Sequence, residues 1–173
     1  SWLWEYGGAP WNFGWIRKWN LLMERLDMMK EKGNIDEEAY NHWYGVARFF
    51  RGYEYYRLVA SFGDVPWYDK VVESEDFASQ FKPRDSRVLV MTNVKADFEF
   101  ALANVRENDG ENYVNKDVVA TIASRAMLFE GNWKKYHKVA GGTPEVFLNS
   151  AVAFGDHVIN KGKYTFDADF RLL

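Results

Sequence analysis

The chain has 173 residues, 47% of them apolar and 27% charged, which suffices for the core of one ordinary globular domain. Its formal charge of -3 gives no basic face for nucleic acid, and its lack of cysteine excludes disulfides, thiolate metal sites and a cysteine nucleophile. Aromatic residues make up 18% of the chain, and their flat faces suit either core packing or ligand stacking.

Residues 1–14 (SWLWEYGGAPWNFG) predict a loop, because glycine and proline recur among the aromatic residues. A first helix is predicted over residues 15–32, where apolar side chains follow helical spacing until Gly33 ends the pattern. The predicted apolar face comprises Ile16, Trp19, Leu22, Met23, Leu26 and Met29.

A second helix is predicted over residues 36–61, with Asp36 as its N-cap and Gly63 just beyond its end. Its apolar residues cover a wide surface, so we expect it to pack on two sides. Residues 65–72 are predicted to be partly extended, because Pro66 breaks the helix. The wide surface includes Trp43, Val46, Ala47, Phe50, Glu54 and Leu58. Three arginines on the same helix are expected to bond carbonyls or acids between helices: Arg48, Arg51 and Arg57.

A third helix is predicted to begin at residues 83–86 and to run to about residue 106. The turn-rich residues 107–115 connect it to a fourth helix over residues 116–137, in which Gly131 marks a place for a boundary or kink. A fifth helix is predicted over residues 144–160. The fold class is therefore all-α, built from antiparallel, tetratricopeptide-like helix pairs with long aromatic-rich loops.

Few residues suggest catalysis or metal binding. The histidines do not stand four residues apart, so surface or packing roles are expected for His42, His137 and His157. No nucleophile-elbow, P-loop or dinucleotide motif occurs, and Asp64 is interpreted as a turn residue. We expect no cofactor. A structural calcium site is a minor alternative to a plain polar connection in the loop that holds Asp109, Glu111, Asn112 and Asn115.

The aromatic loop at the start of the chain holds the candidate ligand-binding residues. Indole rings stack on the C–H faces of sugars, and an amide hydrogen-bonds vicinal hydroxyls. The alternative is that these indoles fill the core or an interface. The candidates are Trp2, Trp4, Trp11 and Asn12.

Five segments in order carry a family pattern. The most specific is residues 47–67 (ARFFRGYEYYRLVASFGDVPW), an aromatic- and arginine-rich helix that leads into Gly-Asp-Val-Pro. With the other four, it resembles the SusD/RagB family of outer-membrane nutrient-binding lipoproteins. Gly52 departs from the usual alanine, and two valines at residues 118–119 stand where small residues are common. The other segments are residues 20–22 (NLL), 83–105, 115–133 and 151–164.

The resemblance implies a binding protein and not an enzyme. Such a protein captures oligosaccharides, or peptides in the RagB branch, and delivers them to a TonB-dependent SusC-type transporter. It is lipid-anchored on the extracellular face of the outer membrane. In the family a Trp and an Asn before the Asn-Leu-Leu helix contact ligand, which points here to Trp2, Trp4 or Trp11 with Asn12. Residues 1–173 are interpreted as an internal part of a single SusD-like domain, without its anchor region and C-terminal portion.

Two other functions stay open. The first is an enzyme, such as a glycoside hydrolase on a helical scaffold, which would need two carboxylates about 5–10 Å apart. The second is a helical interaction module without a small-molecule ligand, which would show a wide protein interface and no exposed tryptophan.

Overall fold

A computed structural model describes residues 11–165, so Trp2 and Trp4 lie outside the described residues. The chain divides into two compact units, whose described residues are 11–119 and 120–165. That both units belong to one domain stays a prediction. The helices are α1 (Gly14–Glu31), α2 (Glu37–Phe62), α3 (Phe77–Gln80), α4 (Arg87–Asn104), α5 (Lys116–His137) and α6 (Pro144–Ile159).

Capping side chains explain where the predicted helices begin and end. Asp36 accepts a hydrogen bond from the backbone N–H of Ala39 at 2.8 Å and so starts α2, as predicted. Gly33, with φ of 68°, follows α1 in the left-handed conformation that residues with a side chain rarely adopt. The short α3 was not predicted, because a single turn carries no apolar period.

In the first unit α1 lies antiparallel to α2. The ring of Trp19 stacks on that of Phe50 with centroids 4.7 Å apart, and the Tyr40 hydroxyl donates to Asp27 at 2.7 Å. The predicted apolar face of α1 is confirmed at Ile16, Met23 and Leu26, which are buried.

The prediction was wrong at Met29 in α1, which is 40% exposed. Thirteen residues after Ile16, Met29 lies about 220° around the helix axis and faces solvent. It was also wrong at Trp43 on the wide surface of α2, where the side chain is 38% exposed. The residues of α2 that are buried are those on the faces that α1 and α4 cover. The predicted wide surface extends beyond these two faces.

Helix α4 covers the other side of α2, again antiparallel, so α2 packs on two sides as predicted. At Gly52 an added Cβ would lie 3.2 Å from Phe98 Cε1 and 3.3 Å from Asp97 Cβ. The missing side chain therefore lets α4 approach α2 closely at the position where an alanine is usual.

The Gly-Asp-Val-Pro turn joins α2 to the segment before α4. Gly63 has φ of 72° and ends α2, while Asp64 accepts a hydrogen bond from the backbone N–H of Arg87 at 2.7 Å. Val65 is buried and forms an isolated antiparallel bridge with Asp85. Asp64 thus anchors the start of α4, which confirms its interpretation as a turn residue.

The second unit contains most of α5 and all of α6, packed antiparallel. The Ser124 hydroxyl donates to the Ala151 carbonyl at 2.8 Å, and further along α5 the backbone of Gly131 faces Leu148. The helix boundary considered at Gly131 is absent, since α5 runs through it unbroken, while the alternative of a kink stays a prediction. An added Cβ there would lie 2.6 Å from Leu148 Cδ2, so this glycine serves close helix packing.

Within residues 11–165, no helix combines the length and the apolar character that crossing a membrane requires.

Candidate functional site

The loop that leads into α1 carries two of the predicted ligand residues in the described part of the chain. The Asn12 side chain accepts a hydrogen bond from the backbone N–H of Gly14 at 2.7 Å. This bond forms a local turn that sets the direction in which the chain enters α1. Asn12 therefore organises the loop through its Oδ1 atom, while the side chain stays exposed. Its predicted contact with ligand stays a prediction.

Trp11 is held in place by edge contacts and remains half-exposed. Its ring meets Phe13 edge-on at 5.3 Å and Phe62 edge-on at 5.2 Å, and the guanidinium of Arg84 lies 4.8 Å from its centroid. The side chain is 46% exposed. Phe13 in turn meets Tyr68 edge-on at 5.6 Å. We call these four rings, Trp11, Phe13, Phe62 and Tyr68, the aromatic platform.

Beside the platform lies a cleft with a volume of about 590 Å³. One wall is the beginning of α1 and the residue before it; the other wall is the segment between Pro66 and the end of α3. Phe13 and Tyr68 belong both to the platform and to the cleft. The residues that line the cleft are Phe13, Gly14, Ile16, Arg17, Asn20, Tyr68, Lys70, Val72, Ser74 and Gln80.

The two walls are tied together by Asn20, whose side chain is 1% exposed. Its amide nitrogen donates to the carbonyl oxygens of Tyr68 at 3.0 Å and Lys70 at 3.1 Å. Its amide oxygen accepts from Arg51 at 3.0 Å. Every hydrogen-bonding position of this amide except one lone pair is thus used within the protein.

Arg51 connects the same wall to the helices behind it. Its guanidinium donates to the Asp69 carbonyl at 3.1 Å and to both carboxylate oxygens of Asp97, at 2.8 and 2.7 Å. Arg48 donates to Asp97 at 2.7 Å. Burial opposes the charge of Arg51, but the hydrogen bonds and charge of Asp97 outweigh it and raise the pKa of Arg51. The predicted interhelical role is therefore confirmed for Arg48 and Arg51.

The predicted interhelical role is wrong for Arg57. It lies 3.6 Å from Glu54, three residues earlier on α2. Because both residues are on one helix, this pair does not join helices, and the contact is of the exposed i, i+3 kind.

A second group of contacts fixes Trp67, next to the cleft wall. The Asp85 carboxylate accepts from the backbone N–H of Trp67 at 2.7 Å and from Lys82 at 2.8 Å. Partial burial raises the pKa of Asp85, but the bonds from Lys82 and Trp67 outweigh it, so that the pKa lies below its usual range. The Trp67 ring packs on buried Tyr55 with centroids 4.3 Å apart. The segment is therefore held from both sides.

The described lining of the cleft offers ring surface and cationic hydrogen-bond donors. Phe13 and Tyr68 present ring surface, and Arg17 and Lys70 present exposed charged donors. Among the described residues that line it there is no carboxylate, so the lining holds no acid–base pair of the glycosidase type.

The other sequence candidates serve structural contacts. His42 is 1% exposed; its Nδ1 accepts from the backbone N–H of Arg106 at 3.1 Å, and its Nε2 lies 3.2 Å from Asp109. Burial and the charge of Arg106 lower the pKa of His42. Its predicted packing role is confirmed, while His137 is exposed.

The loop considered for calcium is engaged in protein contacts at two positions. Asp109 also accepts from Arg106 at 2.7 Å, and Asn115 accepts from the backbone N–H of Val118 at 3.0 Å, which caps α5. Both residues offer oxygen atoms that already have protein partners. The expectation of no cofactor stays a prediction, with calcium at this loop as its minor alternative.

Residues 9–128 match the sequence profile of a SusD-like family, described as starch-binding and associating with the outer membrane. The chain belongs to the SusD/RagB family. The predicted membership and the predicted all-α fold are thereby confirmed. None of the curated proteins matches the chain.

Solved SusD-like structures share the fold. A SusD-like carbohydrate binding protein from Bacteroides vulgatus ATCC 8482 is 22% identical with a TM-score of 0.67, over 88% of this chain and 30% of its own. A SusD superfamily protein from Bacteroides thetaiotaomicron VPI-5482 is 22% identical with a TM-score of 0.65, over 88% and 32%.

A third structure, solved with xylogluco-oligosaccharide, is 15% identical with a TM-score of 0.63, over 90% of this chain and 29% of its own. The chain therefore spans about a third of the length of each of these three structures.

The sequence did not indicate the cleft, because its walls come from segments about fifty residues apart. One signal was present: Asn20 interrupts the apolar face of α1, and a polar residue in a buried stripe needs hydrogen-bond partners.

Proposed function

We propose that this chain forms part of an oligosaccharide-binding surface in a SusD-like protein. The observation that carries the proposal is Trp11, which is held by two rings and a guanidinium but keeps 46% of its side chain exposed beside a cleft of about 590 Å³. Fixed, half-exposed rings suit sugar stacking because little side-chain entropy is lost on binding. The fold of the carbohydrate-binding relatives supports the same proposal.

The wider role follows the family. The whole protein captures oligosaccharides at the cell surface and delivers them to a SusC-type TonB-dependent transporter, held to the outer membrane by a lipid anchor. It binds without catalysis. Co-purification of a TonB-dependent receptor with the protein from native membranes tests this role. Purification of the protein without such a receptor, under conditions that keep outer-membrane complexes intact, would contradict it.

The stacking role of Trp11 is tested by Trp11→Ala in the full chain, with Trp15→Ala as the matched control. Trp15 is 55% exposed and stacks on Trp19, and among the described residues it has no ring contact with the platform. We expect Trp11→Ala to weaken binding of an oligosaccharide by about 1–3 kcal/mol, measured by isothermal titration. Trp15→Ala should leave the affinity unchanged.

Two results would count against the stacking role. Unchanged affinity together with a lower melting temperature for Trp11→Ala would leave only a packing role for this ring. Binding of peptides, with no binding of any saccharide, would assign the surface to the peptide-binding branch.

A further inference from the structure

The charges around the cleft indicate which kind of saccharide it takes. We propose that the cleft binds an anionic saccharide, one that carries carboxylate or sulfate groups, and that Arg17 and Lys70 recognise the charge. This inference rests on the proposed function, since it names the ligand class of the same surface.

Arg17 stands on the wall that α1 contributes. It lies four residues after Phe13 and three before Asn20, so all three share one face of the helix. Its side chain is exposed and forms no ion pair or side-chain hydrogen bond with any described residue. The planar guanidinium has the geometry to hold a carboxylate or a sulfate through two parallel hydrogen bonds.

Lys70 stands on the opposite wall. Its carbonyl oxygen is fixed by the bond from Asn20 at 3.1 Å, so the backbone is held while the ammonium group is exposed. No described residue forms an ion pair with it. Its charge lowers the pKa of exposed Asp76 slightly, after the hydrogen bonds from Ser79.

Several cations of the first unit that do not line the cleft have carboxylate partners. Arg48 and Arg51 share Asp97, Lys82 pairs with Asp85, and Lys95 and Arg106 pair with further acids. Among the described residues, neither of the two cleft cations has such a partner and no carboxylate lines the cleft. An anion bound between the walls would be attracted by both cations.

Acidic side chains lie near the walls without belonging to the described lining, among them Asp76, whose carboxylate the charge of Lys70 reaches. Glu24 accepts from the backbone N–H of Val71 at 3.4 Å, and Asp69 is exposed; neither lines the cleft. The ring surface of Phe13 and Tyr68 supplies the apolar contact that a pyranose needs. The volume of about 590 Å³ lies within the usual range of small-ligand sites, about 300–1,000 Å³.

The test compares four probes by isothermal titration on the full chain. They are tetragalacturonate, the same tetrasaccharide with its carboxylates methyl-esterified, a sulfated carrageenan tetrasaccharide, and maltotetraose. We expect at least one anionic probe to bind more tightly than both neutral ones. The anionic probe that binds identifies carboxylate or sulfate as the group recognised. High salt should weaken this binding, because it screens exposed charges.

The variants assign the effect to the two cations. Arg17→Gln and Lys70→Gln should each weaken binding of the anionic probe about three- to tenfold. Lys70→Arg should restore most of the binding, whereas Arg17→Lys should restore only part of it, because an ammonium group cannot form the two parallel hydrogen bonds. The control is Lys32→Gln, which removes the same charge just beyond the end of α1 and away from the cleft. Melting temperatures should stay the same throughout, because all these side chains are exposed.

The outcomes separate the two proposals. If neutral saccharides bind as well as anionic ones, and Arg17→Gln and Lys70→Gln leave the affinity unchanged, the anionic preference is overturned while oligosaccharide binding stands. If no probe and no other saccharide binds, both proposals fail. If Lys32→Gln weakens binding as much as the cleft variants do, the effect comes from net charge and the assignment to the cleft is wrong.

Discussion

At the scale of single residues, the amide of Asn20 holds the cleft together. It is a polar side chain in the apolar face of α1, and it is buried because its donors and its acceptor are matched. The neighbouring apolar residues were predictable from helical spacing. The partners of Asn20 were not, because they lie on the backbone of a segment about fifty residues away.

We predict that Asn20→Ala destabilises the protein by about 2–4 kcal/mol, because the carbonyls of Tyr68 and Lys70 and one donor of Arg51 lose their partner in a buried site. Urea unfolding measures this change. Asn34→Ala, at an exposed position after α1, is the control and should change stability little. If Asn20→Ala lowers the free energy of unfolding as little as Asn34→Ala does, water replaces the amide as the hydrogen-bond partner.

Protonation of His42 should make stability depend on pH. Because its pKa is lowered by burial, the folded state binds a proton less readily than the unfolded state does. Its contribution is therefore complete above the unfolded pKa of about 6.5 and is lost as the pH falls toward the lower folded pKa. Asp109 and Glu38 have lowered pKa values too, but acid protonates them in a lower range, near pH 4 or below.

We predict that His42→Asn flattens the decline of stability between about pH 7 and 5. Asparagine keeps an acceptor for the backbone N–H of Arg106 but cannot be protonated. The slope of the unfolding free energy against pH should fall by up to about 1.4 kcal/mol per pH unit, measured by urea unfolding at several pH values. An equally steep decline in both proteins would mean that His42 is not the group responsible.

At the scale of elements, the helices were the most predictable feature. Apolar periodicity and capping residues such as Asp36 located them, because both act within a few residues of the helix end. The helix α3 escaped prediction. Its single turn depends on Asp76, which accepts from the backbone N–H of Ser79 at 3.0 Å, and on its surroundings.

Gly131 in α5 shows what the local sequence does not predict. Helix propensity alone predicts that Gly131 destabilises α5, whereas the structure shows that α5 is continuous and that Leu148 lies close to this glycine. What requires glycine here is the approach of another helix. A sequence pattern within α5 does not contain that information.

We predict that Gly131→Ala lowers the unfolding free energy by about 1–3 kcal/mol. The new methyl group would lie 2.6 Å from Leu148 Cδ2 and 3.1 Å from its backbone nitrogen, and this overpacking outweighs the gain in helix propensity of about 1 kcal/mol. The matched control is Gly155→Ala in α6, where the nearest atom is Ser124 Oγ at 3.5 Å. That variant should be neutral or more stable in thermal unfolding. Equal stabilisation of both variants would refute the packing role.

At the scale of the whole molecule, the family pattern reports mainly structural positions. In the segment of residues 47–67, Arg51 joins α2 to α4 and to the cleft wall, while Gly63 and Asp64 shape the turn. These roles require particular residue types whatever the ligand is. This is why the motif identified the family and the fold but not the saccharide.

The candidate site was only partly accessible from the sequence. Trp11 and Asn12 were singled out by residue type and by their place before α1, and the structure places Trp11 in a platform beside a cleft. Arg17, Tyr68 and Lys70 were not singled out, because an exposed cation or ring has no local signature that separates a ligand contact from ordinary surface.

The bonds that Asn20 and Arg51 make to the backbone of residues 68–70 have a kinetic consequence. A wall that is already fixed does not have to be ordered when ligand arrives, so binding carries little entropic cost and no slow folding step. Exchange of the ligand should then be governed by the few stacking and charge contacts alone. We therefore expect the proposed ligand to associate in a single fast phase, with no delay for ordering of the wall.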